Sequence, residues 1–193
     1  MVLHYKESIA LQESMIKDYS LNFSFSGIDS LDDKLNYLTT TYDFPVIDNT
    51  YGELVSSGQF YLISDKDLNS EIISYYLYCE SNNNDIDNDL NNIFYKHIYI
   101  AINKYSQATL YDKTTLKEDK ALIDIDPSLT LYIRNKLNEP AAKLELMNAI
   151  KTKLFIQEDF LDVVNTTLIY NDELIKEIHN YLGISLEDLN SED

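Results

Sequence analysis

Asp85, Asp87 and Asp89 alternate with other residues as the first ligands of a calcium loop do, so metal binding is the first chemistry to weigh. The pattern then breaks. The position of the obligatory turn glycine is Leu90, and that of the bidentate glutamate is Lys96. His4, His97 and His179 fall in no metal-ligand spacing, and none belongs to an H-E-x-x-H pattern. Cys79 has no basic neighbour to lower its pKa and sits at the end of an apolar face, which suits packing better than nucleophilic attack. Carboxylates are so numerous that chance pairs are unavoidable, and no local pattern distinguishes two of them as a general acid and base. Arg134, Lys136, Lys143, Lys151 and Lys153 gather in the C-terminal half, but glutamates accompany them, as on a solvated helix face. The sequence therefore assigns no catalytic, cofactor-binding or metal-ligating residue.

What remains is recognition. Between Lys34 and Lys96 the only basic residue is Lys66, while Asp43, Asp48, Glu53, Asp65, Asp67, Glu71, Glu80 and the three aspartates at 85, 87 and 89 are all acidic. Tyr51, Tyr61, Tyr75, Tyr76 and Tyr78 lie in the same stretch. Rigid amphipathic rings beside carboxylates suit a protein interface, the rings giving contact area and the acids steering a basic partner. Asp67, Glu71, Tyr75, Tyr78, Glu80, Asp85, Asp87 and Asp89 are the expected partner-binding residues, presented around an Asn-rich loop at Ser81–Asn84.

The elements that must position them are helical. With 193 residues, hydrophobic residues at 45% and charged residues at 25%, the chain can bury one substantial core and is expected to fold as a single domain. Only 4 glycines leave no glycine-rich phosphate loop and few tight turns, which excludes a large β-sandwich and a nucleotide-binding α/β fold. One cysteine excludes an intramolecular disulfide and a multi-cysteine zinc site. The N-terminus lacks the basic and apolar regions of a signal peptide and no apolar run could span a bilayer, so the expected location is cytoplasmic.

The longest helical pattern runs from Asp85 to Tyr105, with Leu90, Phe94, His97, Ala101 and Tyr105 on one stripe and Ile93, Ile98 and Ile102 widening it. This predicts a central helix capped by an aspartate, with His97 as a structural core residue. Upstream, helices are predicted over Tyr5–Tyr19, from a capping box at Ser30 and Asp33, and from Asp65 through Leu68, Ile72 and Tyr76. Gln59–Ile63 reads as a short strand or extended connector. Downstream, Asp126-Pro127 and Glu139-Pro140 each start a helix, a third begins near Glu158, and a last one runs from Asn171 to a glycine cap at Gly183. The fold class is thus mostly α: a single acidic bundle of about seven helices over residues 1–193, its end frayed at 189–193, with room for a short strand or hairpin near 58–64 and 107–124.

Charge sets the expected function. Against 15 basic residues stand 33 acidic ones, a net charge of -18, which repels nucleic acid and anionic lipid and favours basic proteins. The expectation is an acidic non-enzymatic inhibitor of a basic, nucleic-acid-acting protein, of which an immunity protein against a bacterial nuclease toxin is the natural instance. A phage inhibitor of a nucleic-acid-targeting defence complex would present the same composition. An enzyme using dispersed carboxylates and tyrosines, or a helical scaffold whose charge serves only solubility, are the competing readings. No cofactor, no membrane and no direct nucleic-acid contact are expected, and the oligomeric state stays open.

Overall fold

In the computed structural model, which describes residues 2–41, 43–44, 46–107 and 126–184, helices account for every regular element and no strand occurs among the described residues. Seven α-helices follow in order: α1 (Val2–Asn22), α2 (Leu31–Tyr37), α3 (Asn49–Ser56), α4 (Lys66–Asp89), α5 (Tyr99–Lys104), α6 (Pro127–Lys136) and α7 (Pro140–Leu182). A 3-10 turn, Gln59–Leu62, precedes α4, and a π-helical segment, Leu90–Ile98, joins α4 directly to α5.

The termini of these helices follow local chemistry. Asp65 Oδ1 accepts from the backbone N–H groups of Asp67 (2.9 Å) and Leu68 (3.1 Å), and Asp126 Oδ1 accepts from that of Ser128 (2.8 Å) with Pro127 at the first helical position. At the end of α7, Gly183 takes φ +68°, Ile184 N–H reaches His179 O at 3.0 Å and Gly183 N–H reaches Asn180 O at 3.2 Å. That pair of bonds is a Schellman cap, and it needs the left-handed residue that glycine supplies.

Five local expectations fail, each for a physical reason. Ser81–Asn84 is not a loop but lies inside α4, so Asp85 and Asp87 are helix-body residues and Asp89, at the junction with the π segment, makes no side-chain capping bond. Asparagine disfavours a helix only by tenths of a kcal/mol, roughly 0.5 per residue, which packing overrides. Gln59–Leu62 is a 3-10 turn rather than a strand, following the short helix α3 and entered through Gly58 at φ +69°, and only Ile63 after it is extended. Ser30 adopts φ 48°, and its hydroxyl caps nothing, so the capping box does not form. The three helices read after Glu139 are one helix of 43 residues, because the β-branched pairs Val163-Val164 and Thr166-Thr167 weaken a helix without ending it. His97 is exposed, and Ile98 takes its place in the core. The wider π turn shifts the buried positions to Leu90, Phe94 and Ile98, at four-residue spacing.

The chain forms two compact units, each made of discontinuous segments: one from residues 1–42 and 88–159, the other from 43–87 and 160–193. In the first, Met15, Phe25, Leu35, Leu38, Phe94, Ile98, Ile102, Leu146 and Ile150 form an aliphatic and aromatic core. A polar layer crosses it. Ser8 donates to Gln157 Oε1 (2.9 Å), Gln12 Nε2 donates to Ser8 O (2.9 Å), and Gln12 Nε2 also donates to Gln157 Oε1. Gln107 fixes the chain at its departure from α5: its backbone N–H meets Asp32 Oδ1 (3.2 Å), its carbonyl accepts from Asn36 Nδ2 (2.8 Å), and its side-chain Nε2 donates to Thr130 Oγ1 (2.7 Å).

Lys153 is the outlying residue of this unit. Only 2% of it is exposed. Its Nζ donates to Thr40 O (3.1 Å) and lies 4.4 Å from the centre of the Phe94 ring, and burial pushes its pKa down to about 7. His4, on α1, is also pushed down, first by burial and then by the Lys153 charge, while Tyr37 hydrogen-bonds both His4 Nδ1 (2.9 Å) and Glu7 Oε2 (3.2 Å).

The second unit combines ring contacts with a small aliphatic core. Phe44 meets Phe160 edge-on at 6.2 Å, Tyr75 meets Tyr170 edge-on at 5.3 Å, and Tyr51 meets Phe60 edge-on at 5.5 Å. Leu68, Cys79, Ile86, Val164 and Leu174 fill the space among them. Burial raises the Cys79 thiol pKa, as a packing role implies. The segment 107–124, where the sequence leaves room for a hairpin or strand, lies outside the described residues except Gln107, as do residues 185–193.

Candidate partner-binding groove

On α4, Tyr76, Glu80, Asn83 and Asp87 are spaced by four, three and four residues, which puts them on one face of an α-helix. Opposite them run Asp43, Phe44, Val46 and Asp48 of the connector before α3, and Tyr51 from the first turns of α3. Together they enclose a groove of ≈ 540 Å³ lined by four carboxylates and no cation. Asn83 Nδ2 approaches Asp87 Oδ2 at 3.5 Å.

Two tyrosines give the groove a rigid side. Tyr51 and Tyr76 stack at 4.0 Å between ring centres with planes 14° apart, and each is held from behind by another ring, Phe60 and Tyr75 respectively. Burial is the main cause that raises the Tyr76 phenol pKa, with Cys79, Asp48 and Tyr51 adding to it. Both rings are half-buried, so each is fixed without being removed from the surface.

The residues expected to bind a partner distribute unevenly. Glu80 and Asp87 line the groove. Asp85 is exposed but stands two residues from Asp87, and at about 100° per residue it faces away from the groove. Asp89 belongs to the other unit. Asp67 is exposed in the first turn of α4, far along the helix from Glu80. Glu71 is half-buried beside the Tyr170 hydroxyl, whose pKa it helps to raise after burial. Tyr75 donates to Asn171 Oδ1 at 3.4 Å, and burial, followed by Cys79, pushes its pKa up to about 12. Tyr78 leans towards Tyr170 at 6.0 Å.

No known protein family, characterised protein or solved structure matches this chain. Its chemistry must be read from the groove itself. Among the described residues no group of three or more histidine, cysteine, aspartate or glutamate side chains could hold a metal ion, and no helix is long and apolar enough to cross a membrane. Sequence reasoning missed Asp43, Asp48, Tyr51 and Tyr76 as a set. The four-three-four spacing on α4 was visible, but it has meaning only if Ser81–Asn84 is helical.

Proposed function

We propose that the protein is an acidic, non-enzymatic inhibitor that docks on a basic, nucleic-acid-acting protein and masks the surface with which that protein grips phosphates. The observation that supports this reading is the groove: Asp43, Asp48, Glu80 and Asp87 around a stacked tyrosine pair, with no lysine or arginine among its lining residues. Carboxylates in such an array meet lysine and arginine as phosphates do, and fixed tyrosines give the contact area that anchors an interface. The net charge of -18 would steer the encounter. An immunity protein acting on a nuclease toxin in the cytoplasm is the setting that fits this chemistry, and a phage inhibitor of a nucleic-acid-targeting defence complex uses the same contacts.

The test is competition. A basic protein recovered on the tagged chain should be displaced by duplex DNA or by RNA, and its association rate should fall steeply with salt. A partner that stays bound to the chain under saturating nucleic acid would refute the masking role.

A further inference from the structure

Lys153 meets the Thr40 carbonyl where the chain is about to leave the first unit, whose N-terminal segment ends at residue 42. α2 stops at Tyr37, and the turn after it is held by Leu38, which is fully buried, and by two backbone bonds, Thr39 N–H to Asn36 O (3.0 Å) and Thr40 N–H to Tyr37 O (3.2 Å). Thr40 itself is exposed. An amine on a residue that is 2% exposed thus lies one carbonyl away from the surface.

The surroundings of that amine suit its neutral form. A protonated lysine carries three donors, yet Nζ meets one carbonyl oxygen, and among the described residues no carboxylate stands within ion-pair distance of it. The Phe94 ring, with its centre 4.4 Å from Nζ, offsets part of the cost of a charge there, but loss of water outweighs it. The neighbouring elements bring no anion to the amine. His4 of α1 feels the Lys153 charge, which lowers its pKa after burial does, while Glu7 raises it and the N-terminal amine lowers it. The Tyr37 hydroxyl of α2 bonds His4 and Glu7, and Gln157, one turn further along α7, is neutral and bonded to Ser8.

From this geometry we propose that Lys153 and Thr40 form a proton-operated latch: the neutral amine stays inside and holds the turn after α2, and the protonated amine moves out to water, releasing Thr39 and Thr40. Opening disturbs little else, because Leu38 remains the anchor and only the two backbone bonds of the turn break. The direction follows from linkage. The amine titrates at about 7 when seated and at its ordinary 10.5 in water, so each pH unit lost between those values favours the open turn about tenfold, and below about 7 the gain stops. Acidification therefore loosens the chain at its exit from the first unit, ahead of any global unfolding.

Amide hydrogen exchange of Thr39 and Thr40 in the full chain reads the latch directly. Hydroxide catalyses exchange, so amides with a constant open population exchange about tenfold faster per pH unit. An opening that falls about tenfold per unit cancels this rise, and the two amides should exchange at a nearly constant rate from about pH 7.5 to 9. Lys153→Met and, independently, Lys153→Gln should restore the ordinary rise, whereas His4→Gln should leave the profile flat. Both rates should also be indifferent to about 1 M urea, which speeds exchange of core amides such as Ile150 that open only with global unfolding. Thermal unfolding shows which variants keep the fold; should neither lysine variant do so, the profile and urea response of the unaltered chain decide. An ordinary rise in the unaltered chain, a flat profile that survives in Lys153→Met or is lost in His4→Gln, or a urea response equal to that of Ile150 would overturn the proposal.

Discussion

Tyr51 lies flat against Tyr76, with ring centres 4.0 Å apart and planes within 14° of parallel, and this contact ties the short helix α3 to the carboxylate face of α4. Tyr51→Ala should therefore act in two ways. Loss of a stacked, half-buried ring should cost on the order of 1 kcal/mol in stability by chemical denaturation. It should also speed dissociation of the proposed basic partner more than it slows association.

Charge removal on α4 should depend on the face. Glu80→Gln with Asp87→Asn should lower the association rate with the proposed basic partner and flatten its salt dependence, because both carboxylates line the groove. Asp85→Asn, on the far face, should change the rate far less. Stopped-flow association at two ionic strengths distinguishes the cases, and equal effects from Asp85 and Asp87 would place the interface elsewhere.

Lys153 makes stability depend on pH in a definite direction. Its pKa is about 7 in the folded protein against an ordinary 10.5, so between these values the unfolded chain binds a proton that the native one does not. Stability should accordingly fall as pH drops from about 10.5 to 7 and lose no more from this residue below that. His4, also lowered by burial, should extend the loss below its ordinary 6.5. Lys153→Met should flatten the alkaline limb and stabilise the protein at pH 7 by on the order of a few kcal/mol, read from urea unfolding across pH.

The polar layer in the first unit should show strong non-additivity. Gln157→Leu alone removes the acceptor used by both Ser8 and Gln12 and should cost roughly 1–3 kcal/mol. Adding Ser8→Ala and Gln12→Leu should recover most of that loss, since Gln12 Oε1 and Gln157 Nε2 have no partner among the described residues. Thermal unfolding of the single and triple variants gives the comparison, and additive losses would mean that the layer is not a unit.

The helicity of the asparagine run is open to a direct check. Asn84 is exposed in the body of α4, so Asn84→Ala should raise stability by about 0.5 kcal/mol and Asn84→Pro should lower it by about 3 kcal/mol or more. A tolerated proline would restore the loop.

By itself, the sequence determined what depends on neighbours along the chain. Asp65 and Asp126 cap their helices, Pro127 opens α6, Gly183 closes α7, and few glycines with repeated amphipathic spacing make the fold helical. Each of these is set within a turn or two of helix. The excess of carboxylates and tyrosines between Lys34 and Lys96 was equally plain. Tertiary structure alone decided where helices continue and which way they turn. Asn82 to Asn84 and Val163 to Thr167 carry weak local preferences of a few tenths of a kcal/mol, and packing joins them into α4 and α7. The π segment could not be foreseen from a 3.6-residue stripe, because a wider turn changes which residue follows Phe94 into the core: Ile98 is buried, and His97 stands outside. For the same reason the acidic groove was invisible as a set. Asp43, Asp48 and Tyr51 meet Tyr76, Glu80 and Asp87 only because the chain folds back on α4, and that return depends on ring packing, which residue spacing does not encode.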